Sequence, residues 1–317
     1  MQTRLLDGDD VRRHATMPEV VTAVETAFAA HATGDVVMPS KTYVDLPDED
    51  GDFRAMPAYV AAPDWAAAGC KWVNVHPNNG AAFDLPTVMA TMIYSDPRNG
   101  FPLAVLDGTE LTRLRTGAAA AVATDYLART DAASFGVVGA GAQAYTQLDA
   151  VSTVRDISEV VVADRNEERV TAFVEAYGDE YDVRGGTISE AGHCDVLSTV
   201  TPVEEPIVGP DDVGETTHIN AIGADAPGKH ELADDLLGDA KIVVDDREQA
   251  THSGEINVPY AAGVLGDGDI HGTVGEVVVG DATGRTPVDA VTVFDSTGLA
   301  IQDVAAAHVV YEGATDA

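Results

Sequence analysis

Apolar residues recur at helical spacing over residues 9–32, where Val20, Val21, Val24, Ala27 and Phe28 form one stripe before Gly34 and Asp35 end the pattern. That spacing predicts a first helix. The period then shortens. Alternating runs broken by Pro and Gly occupy 36–44, 53–60, 69–75, 87–94 and 101–106, as expected of a mainly antiparallel sheet with the first helix packed on it. From 109 to 128 the pattern is helical again and rich in alanine, which predicts a long helix leading out of this first domain. Strand and helix signals alternate beyond it: strands at 135–138, 160–162, 195–199, 218–222, 241–244 and 291–294, helices at 167–177 and 232–237. Such alternation argues for a parallel sheet with helices on both faces. A last helix over 299–311 follows the capping sequence Asp295-Ser296-Thr297, and its apolar face is expected to return to the first domain. The expected fold class is α/β: a Rossmann-type doubly wound parallel sheet over 128–298, with a smaller α+β domain over 1–127 completed by 299–317.

The stretch 134–165 sharpens this picture. It reads SFGVVGAGAQAYTQLDAVSTVRDISEVVVADR, which is strand, glycine turn, helix and strand in the order that holds a dinucleotide. Gly139 permits the tight turn, Gly141 lets the backbone approach a pyrophosphate, and Ala144 is a small residue at the third position. The helix start beyond them offers free N–H groups to phosphate. Asp164 falls about twenty residues past the turn, where a carboxylate accepts bonds from the adenosine ribose. A plain tight turn in an alanine-rich chain is the competing reading, and the flanking strands with the spaced acid weigh against it.

Composition changes the picture once. Net charge is −35, from 53 acidic against 18 basic residues, and only four lysines occur, at 41, 71, 229 and 241. Such a chain repels nucleic acid and anionic membranes. The acids are dispersed rather than gathered in a tail, which fits a protein of a very salty cytoplasm, where multimolar salt screens self-repulsion within a few ångströms; an acidic interaction module would concentrate its charge. Cys70 and Cys194 form neither a disulfide framework nor a metal-ligand spacing. No signal peptide, transmembrane run or metal site is expected.

Lys71 stands in an apolar strand pattern, Cys70-Lys71-Trp72-Val73-Asn74. A lysine there either snorkels to the surface or is held inside, where burial lowers its pKa and equips it for proton transfer. Because the chain has nearly dispensed with surface lysine, the second reading is favoured. Arg54 and Arg115 could clamp a carboxylate or phosphate, or could be ordinary ion pairs on an acidic protein. Asp225, in the turn Gly223-Ala224-Asp225-Ala226-Pro227-Gly228-Lys229 after a strand, lies at the edge where parallel sheets bind ligands, although an Asp before Pro-Gly also simply forms turns. His193 and His218 belong to no spaced ligand set, and His76 before Pro77 reads as a structural histidine rather than a pocket residue.

Together these residues resemble a known family, the ornithine cyclodeaminase and mu-crystallin superfamily. The resemblance is carried by KWVNVHPNN, LPTVMATMIYSD, GFPLAVLDGTELTRLRTGAAAAVATDYLAR, VVGAGAQAYTQL, INAIGADAPGKHEL and VFDSTGLAIQDVAAA, spread over roughly residues 36–311. It implies a homodimer of two-domain subunits, the first domain binding substrate and forming the dimer, the second binding a nicotinamide dinucleotide. By resemblance, Lys71 and Asp225 are a proton-transfer pair. Arg115 bridges cofactor and substrate carboxylate, and Lys41 falls near a carboxylate-binding position. Thr87, Gly139, Gly141, Ala142, Gln143, Asp164, Arg165, Thr201, Gly223, Asp225, Lys229 and Ser296 surround the cofactor. Asp164 disfavours a 2′-phosphate, which selects NAD, while Arg165 beside it could attract one.

Arg54 stands where the family's cyclodeaminases carry a glutamate for the substrate's distal amine. A guanidinium repels a cationic ornithine tail, so the resemblance implies NAD-dependent oxidative deamination of a small L-amino acid, L-alanine to pyruvate and ammonia. Ornithine cyclodeamination to proline, ketimine or pyrroline-carboxylate reduction, and a non-catalytic crystallin-like binding protein are the alternatives.

Overall fold

The computed structural model describes residues 2–49 and 51–316. Two compact units divide the chain: one takes the residues up to Arg115 and those from Leu299 onward, the other Thr116–Gly298. The boundary falls inside the helix Gly108–Leu127 rather than at its end. Leu111 is buried in its first turns and Ala118 to Ala121 further along. Within the second unit, Gly117 lets this helix close on the Thr146 carbonyl, where a Cβ would collide.

In the first unit, β1 (Arg4–Leu6), β2 (Val36–Val37), β3 (Thr42–Asp45), β4 (Asp52–Ala61), β5 (Ala66–Val75), β6 (Val88–Ser95) and β7 (Pro102–Asp107) form one sheet. Its order is β1-β7-β6-β5-β4-β2, with β3 also on β4. All pairings are antiparallel except β1 on β7. Alternation assigns the two faces. Arg54, Met56, Ala58 and Val60 on β4, Lys71 and Val73 on β5, and Met92 and Tyr94 on β6 are buried, covered by the helices Met17–Thr33 and Ala300–Asp316. The opposite face keeps Trp72 and Ile93 more than 40% exposed, at 43% and 44%.

The single helix expected over 9–32 is two, Gly8–His14 and Met17–Thr33. Pro18 lacks an N–H and cannot continue a preceding helix, but it suits a first turn. Thr16 and Glu19 close a reciprocal cap there, so the stripe from Val20 to Phe28 belongs to the second helix alone.

The second unit holds β8 (Ser134–Val138), β9 (Glu159–Ala163), β10 (Asp182–Gly185), β11 (Val196–Thr199), β12 (His218–Ala221), β13 (Lys241–Val244), β14 (Ile270–Thr273) and β15 (Thr292–Asp295). They form an all-parallel sheet in the order β10-β9-β8-β11-β12-β15-β13-β14. Parallel strands connected by helices bury both faces, and two separate cores result. Phe135, Val137, Val160, Val162 and Val196 point into one; Val138, Val161, Leu197, Ile219, Ile242 and Val293 point into the other. The fold class is therefore α/β, a doubly wound parallel sheet with a second, mainly antiparallel one.

Candidate active site

The first unit brings together three charged side chains from three elements. Lys71 lies on the buried face of β5, between Met56 of β4 and Met92 of β6, and is 1% exposed. Its Nζ donates to Asp303 Oδ1 at 2.9 Å and to Thr112 Oγ1 at 3.2 Å. The Thr112 hydroxyl donates in turn to the Gly108 carbonyl at 2.7 Å, which leaves a lone pair for the lysine. Arg115, nearly one helical turn beyond Thr112, sends Nε to the same Asp303 oxygen at 3.0 Å and Nη1 to Gln302 Oε1 at 2.8 Å. Burial is the main force on Lys71 and pushes its pKa down to about 7; Asp303 opposes this, while Arg115 and Lys41 add to it. A lysine so placed exchanges its proton near neutrality.

Two predicted substrate residues sit beside this cluster in the sheet. Arg54 is buried, but its guanidinium is engaged by Asp52 through two bonds, Nε to Oδ1 at 2.8 Å and Nη2 to Oδ2 at 3.1 Å, and it stacks over the Tyr43 ring at 5.2 Å. Its charge is therefore largely opposed, and its repulsion of a cationic substrate is weaker than the sequence implied. Lys41 lies just before β3 and acts on Lys71 electrostatically. Thr87, expected near the cofactor, is an exposed residue of this first unit whose carbonyl accepts the His76 N–H at 2.8 Å.

In the second unit, β8 runs into Gly139 at φ +103°, a conformation open to glycine. Gly141 caps the ten-residue helix Ala142–Val151, and beyond its chain neighbours no atom of the described residues lies within 4 Å of where its Cβ would be. The helix start carries no side-chain cap. This is a cradle that a side chain would fill, with N–H groups of Ala142 and Gln143 directed as a phosphate requires, so the residues present fit a dinucleotide. Asp164 braces the turn: Oδ2 accepts the Ala140 N–H at 2.7 Å and Oδ1 the Asn166 N–H at 2.8 Å. Arg165 is exposed.

The carboxyl ends of β11 and β12 are tied by Glu231, a residue that sequence reasoning missed. It is fully buried and accepts four bonds: from Thr201 N and Oγ1 at 2.8 and 2.6 Å, Thr199 Oγ1 at 2.8 Å and Gly223 N at 2.9 Å. Thr201 and Gly223, both expected at the cofactor, are thus held by one carboxylate. Asp225 pairs with Lys229 at 2.5 Å and keeps 38% of its side chain exposed. Ser296 is buried, its N–H bonded to the Ala221 carbonyl at 3.1 Å. Asp303, Gln302 and Thr112 were also missed. The available signal was an acid inside the apolar helical pattern of 299–311. Among the described residues no group of His, Cys, Asp or Glu is arranged to hold a metal ion.

A parallel sheet whose first strand ends in an open glycine turn, with an acid closing the second strand, defines a dinucleotide-binding α/β protein, and the first unit adds a buried lysine–arginine–aspartate cluster. The chain belongs to the ornithine cyclodeaminase/mu-crystallin family, whose model matches residues 1–317. It is 50% identical over 316 residues to the alanine dehydrogenase of Archaeoglobus fulgidus, covering 99% of this chain and 96% of that protein. Among solved structures, an archaeal alanine dehydrogenase dimer with bound NAD superposes with a TM-score of 0.95 at 50% identity, over 100% of this chain and 97% of that one. The Thermococcus litoralis Δ1-pyrroline-2-carboxylate reductase, in complex with NADH and L-proline, gives 0.94 at 35% identity over 99% and 98%.

Proposed function

We propose that the protein is an NAD-dependent amino-acid dehydrogenase that converts L-alanine to pyruvate and ammonia. The observation that carries this reading is the Lys71–Asp303–Arg115 cluster, whose net charge is +1 when Lys71 is protonated and zero when it is not. A substrate carboxylate balances the first state, and Lys71 near neutrality can then take up or return the proton of an amino group. The match in length, identity and fold to archaeal alanine dehydrogenase supports the choice of substrate more strongly than Arg54 does, given the Asp52 pair.

NAD bound at the glycine turn supplies the hydride acceptor. The rest falls to the chain. Arg115 orients the substrate carboxylate, with Lys41 and Arg54 adding positive charge. Lys71 Nζ receives the amino proton as the Cα–H bond breaks and the imine forms. By the family resemblance Asp225, paired with Lys229, takes one proton from the water that adds to the imine carbon; Lys71 returns its proton to the departing nitrogen, and the second water proton leaves with the ammonia as ammonium. The water oxygen becomes the keto oxygen of pyruvate.

The neighbour known as a dimer and the outer face of the first sheet, where Trp72, Ile93 and Leu5 are exposed, support a homodimer closed through that face. No helix among the described residues is long and apolar enough to cross a membrane, and a reaction drawing on the cell's nicotinamide pool suits the cytoplasm.

The test follows NADH absorbance and ammonia together, in multimolar KCl with NAD, for alanine and for ornithine. Alanine should yield both in equal amounts. Ammonia from ornithine without NADH would replace this reading by cyclodeamination, and NADH-driven reduction of pyrroline-2-carboxylate with no alanine turnover would make the enzyme a reductase. Lys71→Ala should abolish turnover and leave NAD affinity nearly intact; a variant of comparable turnover removes Lys71 from the mechanism.

A further inference from the structure

One oxygen of Asp303 carries both cations of the cluster. Oδ1 accepts Lys71 Nζ at 2.9 Å and Arg115 Nε at 3.0 Å, while Oδ2 is buried and has no hydrogen-bond partner among the described residues. The neighbouring Gln302 repeats the arrangement: its Oε1 accepts from Arg115, and its Nε2 is buried without a partner. Both residues are fully buried. A buried carboxylate oxygen left unbonded costs free energy unless something uses it, and a residue placed only to neutralise two cations would spend both oxygens on them. The other groups around Lys71 do not do this work. Charge reaches it from Arg115 on the helix Gly108–Leu127 and from Lys41 before β3, both positive; β4 and β6 present methionines. On its own strand, Cys70 is half-buried, its thiol raised by burial and, further, by Asp303.

We infer that Asp303 is a positioning residue of the reaction: through its shared oxygen it fixes the separation of Lys71 and Arg115 and holds the proton on Lys71, while its second oxygen and the Gln302 amide stay buried and unspent beside the pair. The inference rests on the reading that Lys71 exchanges its proton with substrate. Without Asp303, two cations would be buried with no counterion. The lysine would then give up its proton, since it is the weaker-held of the two.

The experiment uses Asp303→Asn in the full-length protein at high salt. With only four lysines in the chain, 13C labelling of the lysine side chains gives a countable NMR spectrum, and Lys71→Met identifies the Lys71 signal. In Asp303→Asn the Lys71 titration midpoint should fall by about one pH unit or more, a tenfold loss of proton affinity. The acid limb of kcat/KM for alanine should shift the same way, and KM should rise as Arg115 loses its anchor. A folded variant with an unmoved midpoint overturns the inference. Should Asp303→Asn not fold, Asp303→Glu keeps the charge and displaces it by one methylene. Its Lys71 midpoint should stay within about half a unit of wild type while kcat/KM falls at least tenfold; wild-type efficiency in that variant overturns the inference equally. The two readings fail separately. A shifted midpoint in a protein that makes no NADH from alanine sinks the function and keeps Asp303, whereas alanine turnover with an unmoved midpoint does the reverse.

Discussion

Glu231→Gln changes one atom in the second unit and should still be costly. Burial pushes the Glu231 carboxyl up and its four donors pull it back. Each oxygen accepts two bonds: Oε1 from Thr201 N and Oγ1, Oε2 from Thr199 Oγ1 and Gly223 N. An amide has a single acceptor oxygen, so in either orientation its NH2 group confronts a backbone N–H and a hydroxyl. Hydroxyls can rotate; the backbone N–H cannot. Two lost acceptor contacts cost about 2–6 kcal/mol at 1–3 kcal/mol each, and relief of one buried charge near Glu255 returns part of that. A net loss of about 2 kcal/mol corresponds to a fall in Tm of roughly 4–8 °C for a unit of this size. Thermal unfolding of wild type and variant, followed by circular dichroism at high salt, measures it. NAD binding should weaken as well, because Thr201 and Gly223 lose their common anchor. If Tm moves by less than about 1 °C, the reasoning is wrong in a specific way: Glu231 would already be protonated in the fold, and Gln would merely imitate it.

The remaining predictions concern pH, the glycine turn and salt. Burial, aided by the nearby Asp245 carboxylate, pushes Asp295 up to about 8. A raised folded pKa means stability that is complete below the ordinary carboxylate range and lost as pH rises through about 8, so Asp295→Asn should flatten the decline of Tm between about pH 5 and 8; an unchanged slope removes Asp295 as its source. Gly139→Ala forces a side chain into φ +103° with its Cβ 3.0 Å from Thr201 Cγ2 and 3.1 Å from the Val200 carbonyl. It should cost about 1–2 kcal/mol and reduce NAD affinity at least tenfold by fluorescence titration, and unaltered affinity would detach the turn from the cofactor. With a net charge of −35, dialysis from multimolar KCl to low salt should unfold the chain through self-repulsion; cooperative unfolding retained without salt would contradict that.

Legibility followed the length of each pattern. The helix Glu167–Tyr177 and strand β13 carry enough periodic residues to mark their own ends, and the alternation of elements disclosed the parallel sheet. The three-residue β1, the polar edge strand β10 and helices of five to seven residues such as Asn79–Phe83, Ile188–Gly192 and Arg247–Ser253 carry too few apolar repeats to stand out from the surrounding loops. Lys71 stood out because lysine is scarce here and its strand is otherwise apolar. Asp303 did not, because one acid among 53 is unremarkable in composition, and only the packing of Ala300–Asp316 shows it buried. Asp52 likewise reads as surface charge until β4 places it on Arg54.

The bond between Lys71 and Asp303 joins residues 232 positions apart. A ribosome therefore delivers the lysine long before its counterion. Until the helix Ala300–Asp316 has been made, β5 carries a charge that its own core cannot accept, and the first unit must wait with that face of its sheet open. The intervening second unit ends at Gly298, before that helix begins, so the chain's order of synthesis favours the nucleotide unit closing first and the first unit last. Loops that close over so long a separation are slow to form, and for that interval the exposed inner face of β4, β5 and β6 is where a nascent chain of this protein is most open to misassembly.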